Sequence, residues 1–268
     1  MHTQTLPQAF IWRRLHSLMG LWLVLFLMEH LLTNSQAALL LSENGQGFVR
    51  MVNGLHNLPY LKAIEITLLG VPIAIHLFWG VRYLFTGKFN SMRSDGSKPH
   101  LNYGRNHAYT WQRITSWILL FLLLMHIVKF RFLEYPYEVN QNTFYVKVYN
   151  DASLPGLADR LNVTLHDSDP YGKVAVKENE VIAVAQSFGA ASLLVVRDTF
   201  KSPFWVAVYT VFVLSACFHA FNGLWTFMLT WGWVLNVAAQ KKALKFSIGL
   251  MLLVGFLGLA AIWGSYLI

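Results

Sequence analysis

The sequence predicts an all-α membrane protein with five transmembrane helices. The first four form a bundle, and a long outer loop separates the third from the fourth. Three observations carry this reading. Hydrophobic residues make up 55% of the 268 positions and charged residues only 13%, and the mean hydropathy is +0.43, a balance typical of polytopic membrane proteins. Five apolar runs are each long enough to cross a hydrocarbon core, which takes about 20 helical residues. The clearest lies between Lys201 and Lys241, where no Asp, Glu, Lys or Arg occurs and His219 stands near the middle.

The first run, residues 15–41, follows Arg13-Arg14 and contains Glu29-His30. A basic start before an apolar run resembles a signal peptide, and Arg-Arg hints at a twin-arginine signal. The run is long enough to span, however, and Ser35-Gln36-Ala37 is a poor cleavage site, so it reads as a retained helix. A polar connector with Asn44-Gly45-Gln46-Gly47 and His56-Asn57-Leu58-Pro59 leads to the second span, residues 60–85, which holds Glu65, Pro72 and His76. A basic loop with Lys88, Arg93, Lys98, Arg105 and one acid, Asp95, precedes the third span, residues 111–133, with Arg113 and His126. Residues 134–202 hold nine of the 13 acidic residues. Alternation of Val174, Val176 and Val181, Ala183 around Lys177-Glu178-Asn179-Glu180 predicts a small hairpin there. The fourth span is residues 203–232. Lys241, Lys242 and Lys245 separate it from the fifth, residues 246–268, where Ala260 and Gly264 offer a small-residue packing face.

Charge sets the orientation. Short cytoplasmic loops accumulate Lys and Arg. Arg13, Arg14, Arg82, Lys88, Arg93, Lys98, Arg105, Arg113, Lys241, Lys242 and Lys245 fall on one side, against Arg50 and Lys62 in the short opposite connector. The N-terminus is therefore expected inside and the C-terminus outside. The net charge of +8 is spread between apolar runs and reads as membrane-edge charge facing lipid headgroups, with no nucleic acid as partner. The single cysteine, Cys217, excludes a disulfide framework, a multi-cysteine zinc site or a cysteine-ligated cluster in this chain.

Each of the first four spans carries one histidine well inside it: His30, His76, His126 and His219. At 1.5 Å per residue, His30 lies about 24 Å from Arg14 and His126 about 20 Å from Arg113, both counted from the inner side. His76 lies about 26 Å from Pro59 and His219 about 24 Å from Pro203, counted from the outer side. His30 and His126 therefore share the outer half, and His76 and His219 the inner half. Two pairs at two depths in a four-helix core suit two stacked haems, each iron taking two imidazoles and left without an open position, so that its work is electron transfer. A zinc or copper cluster fits worse, because the pairs stand about 15 Å apart along the membrane normal. Four unrelated histidines in helix contacts are the alternative. His16, beside Arg13 and Arg14, is a candidate propionate contact or an ordinary interfacial residue. His2, His56, His100, His107 and His166 read as solvent-facing.

With these residues in view, the chain resembles the di-haem cytochrome b membrane-anchor subunit of succinate:quinone oxidoreductases (succinate dehydrogenase/fumarate reductase, Bacillus-like type). The likeness runs through Arg13-Arg14-Leu15-His16-Ser17-Leu18, His30, Leu58-Pro59, Glu65-Ile66, Pro72 with His76, and Gln112-Arg113 with Thr115 and His126. It continues through Phe218-His219, Asn222-Gly223-Leu224-Trp225 and Thr230-Trp231-Gly232. It covers nearly the whole chain outside residues 134–202, where the chain departs from the family in having a much longer outer connection.

The resemblance implies two haems b, the inner held by His76 and His219 and the outer by His30 and His126, with Arg13 and Arg113 among the cofactor-binding residues. It also implies a flavoprotein and an iron–sulphur subunit docked on the inner face, and a quinone, often menaquinone in this subtype, as electron acceptor or donor. The location implied is a bacterial cytoplasmic membrane, and this chain alone would not oxidise succinate. Anchors of a hydrogenase or formate dehydrogenase are the alternative. A bc-complex cytochrome is disfavoured because it places two ligands on each of two helices. Glu65 is the candidate quinone or proton site. An acid inside a span costs about 2.5–3.5 kcal/mol at mid-helix, and eleven residues before His76 puts both on one helical face. A plain polar contact to another helix is the alternative.

Overall fold

The structure is a computed structural model and describes residues 6–38, 45–86, 103–140 and 142–267. Lys88, Arg93, Asp95 and Lys98 of the basic loop, His2, His100 and residues 39–41 of the first run lie outside the described residues. Among the described residues, five helical segments are long and apolar enough to cross a membrane: Gln8–Ser35, Leu61–Thr86, Gly104–Leu133, Pro203–Thr230 and Val237–Tyr266. In chain order the helices are α1 (Gln8–Ser35), α2 (Gln46–His56), α3 (Leu61–Glu65), α4 (Val71–Thr86), α5 (Gly104–Ile127), α6 (Leu154–Leu161), α7 (Phe188–Phe200), α8 (Pro203–Thr230) and α9 (Val237–Tyr266). The strands are β1 (Tyr137–Asn140), β2 (Thr143–Tyr149), β3 (Thr164–His166) and β4 (Glu180–Ala185). The chain forms two compact units. The first comprises Met1–Met28, Lys62–Leu122 and Leu214–Gly255, the second Glu29–Leu61, Leu123–Val213 and Phe256–Ile268.

Three of the five spans begin before their apolar runs. α1, α5 and α9 start at Gln8, Gly104 and Val237, so Lys241, Lys242 and Lys245 stand on the first turns of α9 and not in a connecting loop. Long Lys stems can lie along a helix while their ammonium groups reach the polar boundary. Large apolar side chains such as Phe78, Phe121, Leu124, Leu252 and Phe256 remain exposed, as expected where lipid takes the place of water. α9 buries one stripe at helical spacing, made of Val254, Ala261, Ile262 and Ser265. Gly258 sits on that stripe. A Cβ there would lie 2.8 Å from Val213 Cγ1 and 3.1 Å from Leu31 Cδ1, so the glycine lets α9 approach α1 and α8 closely. Gly264 does the same against Ala38, whose Cβ would be 2.8 Å away.

The second span is interrupted between α3 and α4 by a π-turn, Ile66–Gly70. Its cause is Pro72, which has no N–H to give the carbonyl four residues back and whose ring crowds that carbonyl. That carbonyl belongs to Leu68, and it accepts instead the indole N–H of Trp22 at 2.5 Å. A π-turn takes in one extra residue and so shifts the helical phase by about 100°. The expectation that Glu65 and His76 share one face does not hold across this turn. A second π-turn, Val128–Leu133, ends the third span.

Residues 134–202 are not a bare loop, and the all-α class holds for the spans but not here. Four strands form an antiparallel sheet in the order β1-β2-β4-β3. Phe144, Val146 and Val148 of β2 and Val181, Ala183 and Ala185 of β4 bury one face against Leu154, Leu157 and Ala158 of α6 and Ala190, Ala191, Leu194 and Val195 of α7. Successive strand residues point to opposite faces, so Tyr145, Ile182 and Val184 form the other face, covered by Tyr171, Val174 and Val176. The expected hairpin is corrected accordingly. The turn exists, with Glu180 N–H bonded to the Lys177 carbonyl at 2.9 Å, but β4 pairs with β2 and β3, and Val174 and Val176 pack across the sheet as a cover. α2, in the polar connector, joins this layer. Phe48 and Val49 are buried with Leu193, and His56 stacks on Phe188 at 4.0 Å. His56 is therefore a packing residue and not the solvent-facing one expected.

Candidate functional site

In the first unit, α4 and α8 bring His76 and His219 together, their ring centroids 6.2 Å apart and nearly perpendicular at 86°. His76 is pressed against α1: a Cβ on Gly20 would lie 2.9 Å from its Cε1, so glycine is what admits the imidazole here. The Nδ1 of His76 lies 3.1 Å from the backbone carbonyl of His16. On the other ring, the Nδ1 of His219 lies 3.4 Å from Ser116 Oγ and 3.5 Å from Thr115 Oγ1. Both hydroxyl protons are already given to the Gln112 and Trp111 carbonyls, at 2.6 and 2.8 Å, so these oxygens are left as acceptors. Gln112 Nε2 donates to the His219 carbonyl at 3.1 Å, and Asn222 Nδ2 donates to Gln112 Oε1 at 2.7 Å. The pair of amides locks the α5–α8 register around His219.

In the second unit, α1 and α5 bring His30 and His126 together, with centroids 5.9 Å apart at 82°. The Nδ1 of His126 lies 3.2 Å from the hydroxyl of Tyr209 on α8. Asn34 Nδ2 donates to the His30 carbonyl at 2.8 Å. The Glu29 carboxylate accepts the Thr33 hydroxyl at 2.8 Å, which accounts for an acid next to His30.

Both pairs fit a haem iron held between two imidazoles. Rings at this spacing would leave room for one metal atom between two imidazole nitrogens. An ordinary edge-on ring contact spans the same distance, and the hydrogen bonds bear on which ring nitrogen is left free. A neutral imidazole has one N–H, and fixing it at Nδ1 leaves Nε2 as a lone pair for the metal. His76 and His219 each face an acceptor at Nδ1, and His126 faces the Tyr209 hydroxyl, which can donate or accept. Among the described residues no group of three or more His, Cys, Asp or Glu is placed to hold a bare metal ion.

The other expected site residues are placed as follows. His16 stacks on His76 at 4.1 Å and 9°, meets Tyr83 edge-on, and leaves its own Nδ1 buried without a partner. Such an orphan suits a group that the protein chain does not itself supply. Arg113 is buried at 8% exposure; it donates to the Tyr83 carbonyl at 2.6 Å and lies over Tyr109. Arg13 is exposed, whereas its neighbour Arg14 donates to the Thr230 carbonyl and lies over Trp231. Glu65 is half-buried at the edge of the π-turn. Tyr209 and Gly20 are new here. Tyr209 was hidden among Phe204, Trp205 and Phe212, aromatics that read as packing, and nothing in the sequence marked Gly20 apart from other glycines in spans.

One of three comparisons with known proteins found a relative. The chain is similar to the succinate dehydrogenase cytochrome b558 subunit of Bacillus subtilis (strain 168), at 25% identity over 258 residues that cover 96% of this chain and 96% of that protein. No family model matches the chain, and no solved structure matches it. The resemblance to a cytochrome b subunit of succinate dehydrogenase therefore extends over nearly the whole chain.

Proposed function

We propose that this chain is the di-haem membrane anchor of a succinate:quinone oxidoreductase in a bacterial cytoplasmic membrane. The observation that carries the reading is the pairing of four span histidines, two and two, with Nδ1 held in three of them. The 25% identity to a cytochrome b558 subunit across 96% of both chains supports it. His76 and His219 would hold the inner haem b, and His30 and His126 the outer. When bound, the two haems supply one-electron transfer between an iron–sulphur partner on the inner side and a quinone, menaquinone in the subtype it resembles. The chain's own residues set the conditions for this. The His16 carbonyl and the Thr115 and Ser116 hydroxyls fix the tautomers of the inner pair. His16 Nδ1 and Arg113 stand ready for haem carboxylates. Glu65 serves as a proton carrier for the quinone; a carboxylate beside a π-turn is in a setting often found at functional sites. Succinate itself is handled by the flavoprotein partner, and the physiological direction follows from the quinone and the haem potentials.

The test is spectroscopic. Membranes containing the chain with its partner subunits should give a reduced-minus-oxidised haem b spectrum with two transitions in a redox titration. His76→Leu and His219→Leu should remove the same transition, and His30→Leu and His126→Leu the other. A chain without a haem spectrum would sink the reading. If His30→Leu and His76→Leu left the same surviving haem, the pairing would be wrong.

A further inference from the structure

We propose that Tyr209 is the positioning residue for His126 and that its hydroxyl, by accepting the Nδ1–H of that imidazole, lowers the reduction potential of the haem held by His30 and His126. The inference rests on the functional reading above and adds a residue that the sequence motifs do not contain.

Tyr209 is 4% exposed on α8, and its hydroxyl lies 3.2 Å from His126 Nδ1. The phenol cannot easily turn away. Phe200 meets it at 5.3 Å between centroids, Phe212 at 5.9 Å, Phe130 at 6.0 Å and Trp205 at 6.1 Å. Phe130 and Phe212 also border His126 itself, at 5.3 and 5.6 Å. One cage therefore fixes both rings and the bond between them. The direction of that bond follows from tautomer chemistry. A phenol donating to Nδ1 would require the imidazole proton on Nε2, which removes the lone pair the iron needs. With Nε2 on the metal, Nδ1 bears the proton and Tyr209 accepts it. Such an acceptor makes the imidazole a stronger electron donor, which favours the oxidised iron and lowers the potential.

The other pair supplies an internal control. His76 uses a backbone carbonyl and His219 two hydroxyl oxygens. Tyr209→Phe keeps the ring in its cage and deletes one oxygen. In the assembled complex, potentiometric titration should show one of the two haem transitions moved to higher potential. The expected change is about tenfold in its one-electron equilibrium, about 59 mV. The transition that moves should be the one missing in His30→Leu. If Tyr209→Phe does not assemble, 3-fluorotyrosine at position 209, a weaker acceptor of nearly the same shape, should give a smaller shift in the same direction. Two transitions left in place by either replacement would overturn the inference alone, as would a shift in the transition that survives His30→Leu. An unmutated complex with no haem transition would overturn the functional reading, and this inference with it.

Discussion

Glu65 stands at the end of α3, one residue before the π-turn that Pro72 imposes. Counting 3.6 residues per turn puts it on the His76 face; the extra residue in the turn rotates it off that face by about 100°. A carboxylate there is better placed to serve a molecule bound beside the helix than one held by His76. Glu65→Gln keeps the size and the hydrogen bonding but removes the titrating proton. It should leave both haem spectra and dye-linked succinate oxidation intact while lowering quinone-linked turnover by about 10²-fold, the lower end of what a positioned acid or base contributes. Normal quinone turnover in that variant would remove Glu65 from the mechanism. The four histidines were legible because an ionisable group in an apolar span stands out against its background. The phase of Glu65 was not, because periodicity assumes an unbroken helix. The role of Tyr209 was not, because a phenol among other aromatics looks like packing until its hydroxyl is seen to have a partner.

At the scale of elements, the folded insertion is held by charge as well as by its apolar core. Arg197, 3% exposed on α7, donates to Asp151 Oδ1 at 2.5 Å and to Ser153 Oγ at 2.6 Å. Burial pushes the Asp151 carboxyl up, but the Ser153 hydroxyl and N–H and the Arg197 guanidinium outweigh it and hold the group below its ordinary range. A carboxyl lowered on folding contributes stability that is complete above its unfolded value of about 3.9 and is lost as pH falls through the folded value. Asp198 works in the opposite sense, raised by burial despite the Tyr149 N–H it accepts. Asp151→Asn should weaken the insertion by about 3 kcal/mol, since one partner of a largely buried pair is left behind. Hydrogen exchange of β2, α6 and α7 in the intact complex at neutral pH measures this, and unchanged protection would show that the pair does not hold the module. The variant should also lose part of the parent's sensitivity to acid below about pH 4. The sheet was only half legible. The valine alternation and the turn at residues 177–180 are real, but β4 finds its partner in β2, separated in sequence by α6 and β3, and local pattern carries no information on distant pairing. α2 had a readable signal in Phe48, Val49 and Val52, a stripe at helical spacing.

For the molecule as a whole, the number of spans was legible because hydrocarbon thickness fixes the length of an apolar run. Their polar ends were not, since a helix continues into the headgroup region on residues that carry no hydropathy signal. Orientation rests on the basic bias. A reporter fused after Ile268 should face the outer compartment, and one placed between Lys88 and Arg105 the inner. The reverse pattern would invert the inner and outer assignments of both histidine pairs. The insertion would then stand on the same side as the C-terminus in either case, because both follow an odd number of crossings.

Lys129 is 5% exposed at the end of the third span, where it bonds Glu134 and lies 4.5 Å from the Trp205 ring. The other carboxylate oxygen of Glu134 accepts Thr199 Oγ1 at 3.3 Å. The chain therefore leaves the third span and returns toward the fourth through nearly the same point. Seen as architecture, the insertion is a loop with a closed neck, its two ends joined through one carboxylate. The sheet is thus hung from the spans by its neck and by α2, and the routes of the third and fourth helices do not pass through it.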